Sequence, residues 1–219
     1  MKKLFLSAAV AMSSLAFAQQ FGVKAGMNVS SLSDDASLSD QKSKIGFNAG
    51  VFMNAPLAES FSIQPELLFS QMGDKSTSTT TSTVGGSTIE RKTTGSTNLD
   101  YLTVPVMFQY KATPAFYLEA GPEFGLLLSG KSKGDTTIKT TTGSSTITSS
   151  ASGTTDVKDN LNDFNFGIGL GAGYYFTPNI GVTARYTAGI TKVGKTDDNV
   201  KYYDDSRNNV FQVGLAYKF

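Results

Sequence analysis

Between Asp163 and Phe176 the chain reads DFNFGIGLGAGYYF, a stretch that admits only one kind of backbone. Phe164, Phe166, Ile168, Leu170, Ala172, Tyr174 and Phe176 alternate with Asn165, Gly167, Gly169, Gly171, Gly173 and Tyr175. Side chains along an extended strand point alternately to opposite faces, so one face is apolar with aromatic ends and the other is almost bare. A helix would spread the same residues around its circumference, and a period of two fits a strand alone. At about 3.3 Å per residue the alternating run is long enough to cross a bilayer when tilted.

The first eighteen residues stand apart. Lys2 and Lys3 precede an apolar run from Leu4 to Leu15 and an A-x-A site at Ala16–Ala18, the layout of a secretory signal peptide, with the mature chain expected to begin at Gln19. The apolar run is short for a membrane anchor. Without Lys2 and Lys3, 17 of the 19 basic residues remain against 18 acidic ones. A charge so close to zero, with no basic stripe, argues against nucleic acid as a partner. The absence of Cys excludes disulfides and thiolate metal sites, and the absence of His removes the commonest general base and transition-metal ligand. No catalytic residue, metal or cofactor is therefore expected. Residues 19–219 read as one domain. No later stretch reaches the ~18 apolar residues of a spanning helix, so entry into a membrane requires a closed barrel that pairs every backbone group.

Seven further segments repeat the alternation: about Gln20–Val29, Ile45–Met53, Phe61–Ser70, Leu99–Tyr110, Phe116–Leu128, Ile180–Ala188 and Phe211–Phe219. The connections around Pro56, Pro114 and Pro178 are short, whereas 30–44, 71–98, 129–162 and 191–208 are long. Short turns on one side, long loops on the other and an even strand count are the layout of a bacterial outer-membrane barrel. Aromatic residues mark two levels: Phe21, Phe61, Tyr110, Phe116, Phe176 and Phe219 at the short-turn end, and Phe47, Phe69, Phe124, Phe164 and Phe211 at the other. Such girdles flank the apolar band of a spanning barrel. The predicted fold is all-β: an eight-stranded antiparallel up-and-down transmembrane β-barrel with short periplasmic turns and long extracellular loops. Pro65, Pro105 and Pro122 fall inside strands, where the missing N–H breaks a ladder bond. Two of them precede inward acids, in Pro65-Glu66 and Pro122-Glu123, and bulges are expected at both.

Lys24, Glu66, Glu119, Glu123, Arg185 and Lys218 fall on the inward parity. Counting up each strand puts Glu66, Glu123 and Arg185 at similar height, with Lys24 slightly lower. An eight-stranded barrel is just wide enough for its own side chains, so a packed ion-pair interior is expected ahead of a selectivity network. The loops at 71–98 and 129–162 are Thr/Ser-rich yet nearly symmetrical about Gly85-Gly86 and Gly143. Thr favours strands and Gly-containing pairs favour hairpin turns, so hairpins rising beyond the membrane are expected rather than disordered loops. The last long loop gathers Asp197, Asp198, Asp204 and Asp205 around Tyr202 and Tyr203, a spacing that matches no EF-hand.

The leader, FGVKAGMN (Phe21–Asn28), YLTVPVMFQY (Tyr101–Tyr110), FYLEAGPEFGLLLSGK (Phe116–Lys131), FGIGLGAGYYF (Phe166–Phe176) and VGLAYKF (Val213–Phe219) carry a family likeness. On these motifs the chain resembles the small outer-membrane β-barrel family of Gram-negative bacteria, often labelled porin family or outer-membrane β-barrel domain. The resemblance implies residence in the outer membrane, contact with its lipids, and insertion by barrel-assembly machinery. Leu215, Tyr217 and Phe219 resemble the terminal signal which that machinery reads. Because the family has no common chemistry, two roles stay open. One is a non-enzymatic surface-binding or envelope protein with a ligand or envelope partner; the other is a narrow channel for small solutes.

Overall fold

The computed structural model describes residues 19–33, 42–195 and 206–219. The signal-peptide expectation and the Asp/Tyr cluster of the last loop lie outside the described residues. The strands are β1 (Gln20–Ser33), β2 (Lys42–Ala58), β3 (Phe61–Val84), β4 (Ser87–Lys111), β5 (Phe116–Thr142), β6 (Ser145–Asp156), β7 (Phe164–Tyr175), β8 (Ile180–Lys192) and β9 (Arg207–Lys218). A 3-10 turn, Lys158–Asn160, precedes β7. Among the described residues no helix is long and apolar enough to cross a membrane.

Every strand pairs antiparallel with its neighbours, and β1 closes on β9. The ring runs β1-β2-β3-β4-β5-β7-β8-β9 and returns to β1, so eight strands form the barrel. Closure leaves no edge in the wall, the condition lipid imposes on a sheet. β6 stands outside the ring as the return arm of a hairpin with β5. Outward residues such as Val51, Leu67, Leu118, Leu170 and Leu215 are exposed on the wall, as a lipid-facing band requires. The level between Phe61 and Phe69 spans about nine residues, the length of a tilted transmembrane strand. Ring pairs mark both ends of that band. Phe61–Tyr110, Tyr174–Phe176 and Tyr217–Phe219 lie at the short-turn end, with Phe47–Phe69 and Phe124–Phe164 at the other.

One expectation needs correction. Register does not shift across Pro65 or Pro122; the shifts fall instead at Ser43/Asn48, Pro56/Ala58, Asp100/Tyr101 and Ala188/Lys192. Glu66 and Glu123 thus point inward by plain alternation. The hairpins expected at 71–98 and 129–162 are present, and both stretches are largely strand. β3 and β4 stay paired from Phe61/Tyr110 to Val84/Ser87, and β4 and β5 from Lys111/Tyr117 to Ser87/Thr142. Gly85 and Gly86 both have positive φ, at 59° and 77°, as the two central residues of a type I′ turn must. Gly143, with φ 58°, turns the β5–β6 hairpin.

Candidate functional site

The lumen is occupied at mid-height by a connected set of charged and amide side chains. Arg185 on β8 is the hub and is 1 % exposed. Its Nη1 and Nη2 donate to Glu66 Oε2 and Oε1 at 3.0 and 2.7 Å, and its Nε donates to Glu119 Oε1 at 2.7 Å. This is the fork geometry in which guanidinium binds carboxylate most strongly. Lys24 Nζ approaches Glu66 Oε1 at 3.4 Å, and Gln64 Nε2 donates to the same oxygen at 2.8 Å. Gln109 Nε2 donates to Glu119 at 3.1 Å, and the Asn54 amide donates to Gln109 Oε1 at 2.8 Å. Six strands are thereby tied across the interior.

Glu123 is not among the carboxylates that Arg185 binds. Along the β8–β7–β5 ladders Arg185 lies opposite Gly171, and Gly171 opposite Glu119. Tilted strands in a barrel are staggered against each other, so equal counts from the turns do not give equal heights. Glu123 instead accepts from Thr187 Oγ1 at 3.3 Å. Among the described residues no cation lies within 4.0 Å of it. Lys218 lies at the short-turn mouth, with Nζ 3.7 Å from the centre of the Tyr175 ring.

Above this polar layer the interior turns apolar. Leu32, Met72, Leu99, Tyr101, Leu127, Leu161, Val193 and Val210 form one buried cluster at the outer end, with Val157 against it. The 3-10 turn delivers Leu161, which is fully buried and bridged to Gly194. Gln64, Gln109 and Tyr101 all lie on the inward parity of their strands. Leu161 had no such signal, since it belongs to a connection.

The glycine face of β7 is a seat rather than a void. A Cβ at Gly173 would collide with the Tyr117 ring, and one at Gly169 would come within 2.8 Å of Met107 Cε. Missing side chains on β7 thus accommodate large ones from β4 and β5. Phe52 occupies the corresponding space over Gly22.

Beyond the outer girdle β3, β4, β5 and β6 continue as a four-stranded sheet. From Gln71 to Val84 it rises roughly 40 Å or more at about 3.3 Å per residue. Hydroxyl pairs cross its surface, including Ser87–Thr142 at 2.7 Å, Thr137–Ser150 at 3.2 Å and Thr141–Thr146 at 3.2 Å. All of β6 is exposed, and among the described residues it pairs on one side only. Its free edge carries neither Lys nor Pro, two devices that blunt exposed edges elsewhere.

A closed eight-stranded ring with an apolar belt and a polar interior agrees with the sequence comparison. The family model described as outer membrane protein beta-barrel domain matches residues 17–195. The chain belongs to that family, and its place is the outer membrane. Similar solved structures include Ail, the attachment invasion locus protein of Yersinia pestis, at 14 % identity. That match covers 91 % of this chain and 98 % of Ail, with a TM-score of 0.43. Neisserial surface protein A is similar at 14 % identity, 91 % and 97 % coverage and a TM-score of 0.44. CarO of Acinetobacter baumannii is similar at 13 % identity, 90 % and 98 % coverage and a TM-score of 0.36. No curated protein matches the sequence.

Proposed function

We propose that this outer-membrane barrel is a rigid, non-conducting and non-catalytic base that presents the Thr/Ser sheet to ligands outside the cell. The observation that carries this reading is the pairing of a filled lumen with a tall sheet whose β6 edge is open. An open edge of backbone N–H and C=O groups recruits an extended peptide segment as an added strand. The ligand class is therefore an extended polypeptide of a surface or envelope partner. Arg185, Glu66, Glu119 and Lys24 serve as interior struts in this reading, with Glu123 beside them. The chain has no His to act as general base, which supports a binding role over catalysis. Residues 1–18 act as the cleaved leader. Leu215, Tyr217 and Phe219, exposed on the wall of β9, contact outer-membrane lipid and serve the assembly machinery as its terminal signal.

The test is a pair of variants displayed on cells. One replaces 76–95 and 132–155 with tight turns, keeping the barrel; the other inserts Pro at Ser150, which removes an N–H from the open edge. Loss of partner capture in both variants, with normal surface abundance, is the expected result. Capture unchanged after removal of both hairpins would refute a binding role for the sheet.

A further inference from the structure

At the short-turn end a cavity of about 240 Å³ lies under the turn at Thr113–Phe116. Neither the mid-lumen network nor the sheet accounts for it. Its charged lining is Lys111 and Lys218, and its aromatic wall is Tyr117 and Tyr175. The positions follow from the ladders. Lys111 pairs directly with Tyr117 across β4 and β5, and Tyr175 ends β7 on the inward parity. The two rings lie 6.0 Å apart at 34°. Lys218 is held over Tyr175 by its ring contact, which fixes the ammonium while leaving its N–H groups free to donate.

The electrostatics are one-sided. Both ammonium-bearing side chains line the same cavity. Among the described residues neither has a carboxylate within 4.0 Å. On β5, two residues from Tyr117, the interior acid Glu119 is already engaged by Arg185 and Gln109. Asn54, also in the lining, donates to Ser62, Gln64 and Gln109. Two like charges converging on one partly enclosed space favour an anion between them. An adjacent pair of aromatic rings adds a flat apolar surface, the usual make-up of a small-molecule site with few polar anchors.

We propose that this cavity binds a small organic anion from the periplasmic side. Its oxyanion group, a carboxylate or a phosphate, sits between Lys111 and Lys218, and its apolar body lies on Tyr117 and Tyr175. The site is independent of the sheet, so failure of one proposal leaves the other standing.

Full-length protein folded in lipid nanodiscs, with 13C-labelled tyrosine rings, is titrated separately with benzoate, acetate and inorganic phosphate. Saturable shifts of the Tyr117 and Tyr175 ring signals are expected with benzoate or phosphate. Lys111→Gln with Lys218→Gln weakens the binding by about tenfold or more, whereas Lys111→Arg with Lys218→Arg retains it, because charge is what the site reads. Lys131→Gln on the sheet leaves it unchanged. Benzoate binding tighter than acetate assigns the site to carboxylates with an apolar body; saturation by phosphate alone assigns it to phosphate groups. Absence of saturation with all three probes overturns the proposal. Equal affinity in the double Gln variant, with its barrel still folded, overturns it too.

Discussion

The lower and upper halves of β3 are one uninterrupted strand held together in two different ways. From Phe61 to Ser70 exposure and burial alternate almost residue by residue, with apolar groups outward and Ser62, Gln64, Glu66, Leu68 and Ser70 buried inside. From Lys75 to Val84 both faces are open and hydroxyl-bearing. In lipid an unpaired backbone group has no substitute partner, so the lower half must pair and must present an apolar face. In water the upper half could dissolve its ladder at little cost. It stays a strand because Thr favours extended backbone, Gly85 and Gly86 close the turn, and β4 and β5 extend beside it. A single strand can therefore pass from a regime ruled by side-chain parity to one ruled by backbone pairing. Binding surfaces can be built in the second regime without disturbing the first.

Mutations sharpen that contrast. The largest effect is expected for Arg185→Ala, which strands Glu66 and Glu119 as buried carboxylates and costs ~3–5 kcal/mol. Urea unfolding in lipid vesicles measures it, and conductance should stay absent. Leu170→Arg places a charge on the lipid face and is expected to cost about 2–4 kcal/mol in the same assay. An equally stable Leu170→Arg barrel would mean that this face of β7 does not meet lipid. Gly86→Ala strains a left-handed turn position by roughly 1–2 kcal/mol. Its effect should stay local, with faster amide exchange near the sheet tip and an unchanged barrel Tm. Thr79→Arg on the exposed sheet is expected within about 0.5 kcal/mol of wild type. If Gly86→Ala or Thr79→Arg lowered barrel Tm as much as Leu170→Arg, the two halves of β3 would not be separable.

Parity made the wall readable from sequence because lipid enforces it. The eight spanning segments, both aromatic levels and the inward set Lys24, Glu66, Glu119, Glu123 and Arg185 all follow from odd-and-even counting. The partners within that set do not follow from it. Counting from the turns put Arg185 level with Glu66 and Glu123, whereas its bonds go to Glu66 and Glu119. Stagger belongs to the closed ring and is not encoded in any one segment. The prolines misled for a related reason. A missing N–H weakens a ladder without shifting register when both neighbours keep the strand in line. The apolar plug was hidden because its key member, Leu161, sits between elements, where periodicity has nothing to say. The nearly bare face of β7 is filled by Tyr117 and Met107, which arrive from other strands.

Planar-bilayer recording on the purified, folded wild-type chain tests the filled lumen most directly. A barrel braced by Arg185, Glu66 and Glu119 and stoppered by Leu161 and its neighbours should give a flat baseline, with no stepwise conductance across the applied voltages. Reproducible single-channel steps from wild type, blocked by large solutes and passed by small ones, would contradict it and make the protein a channel.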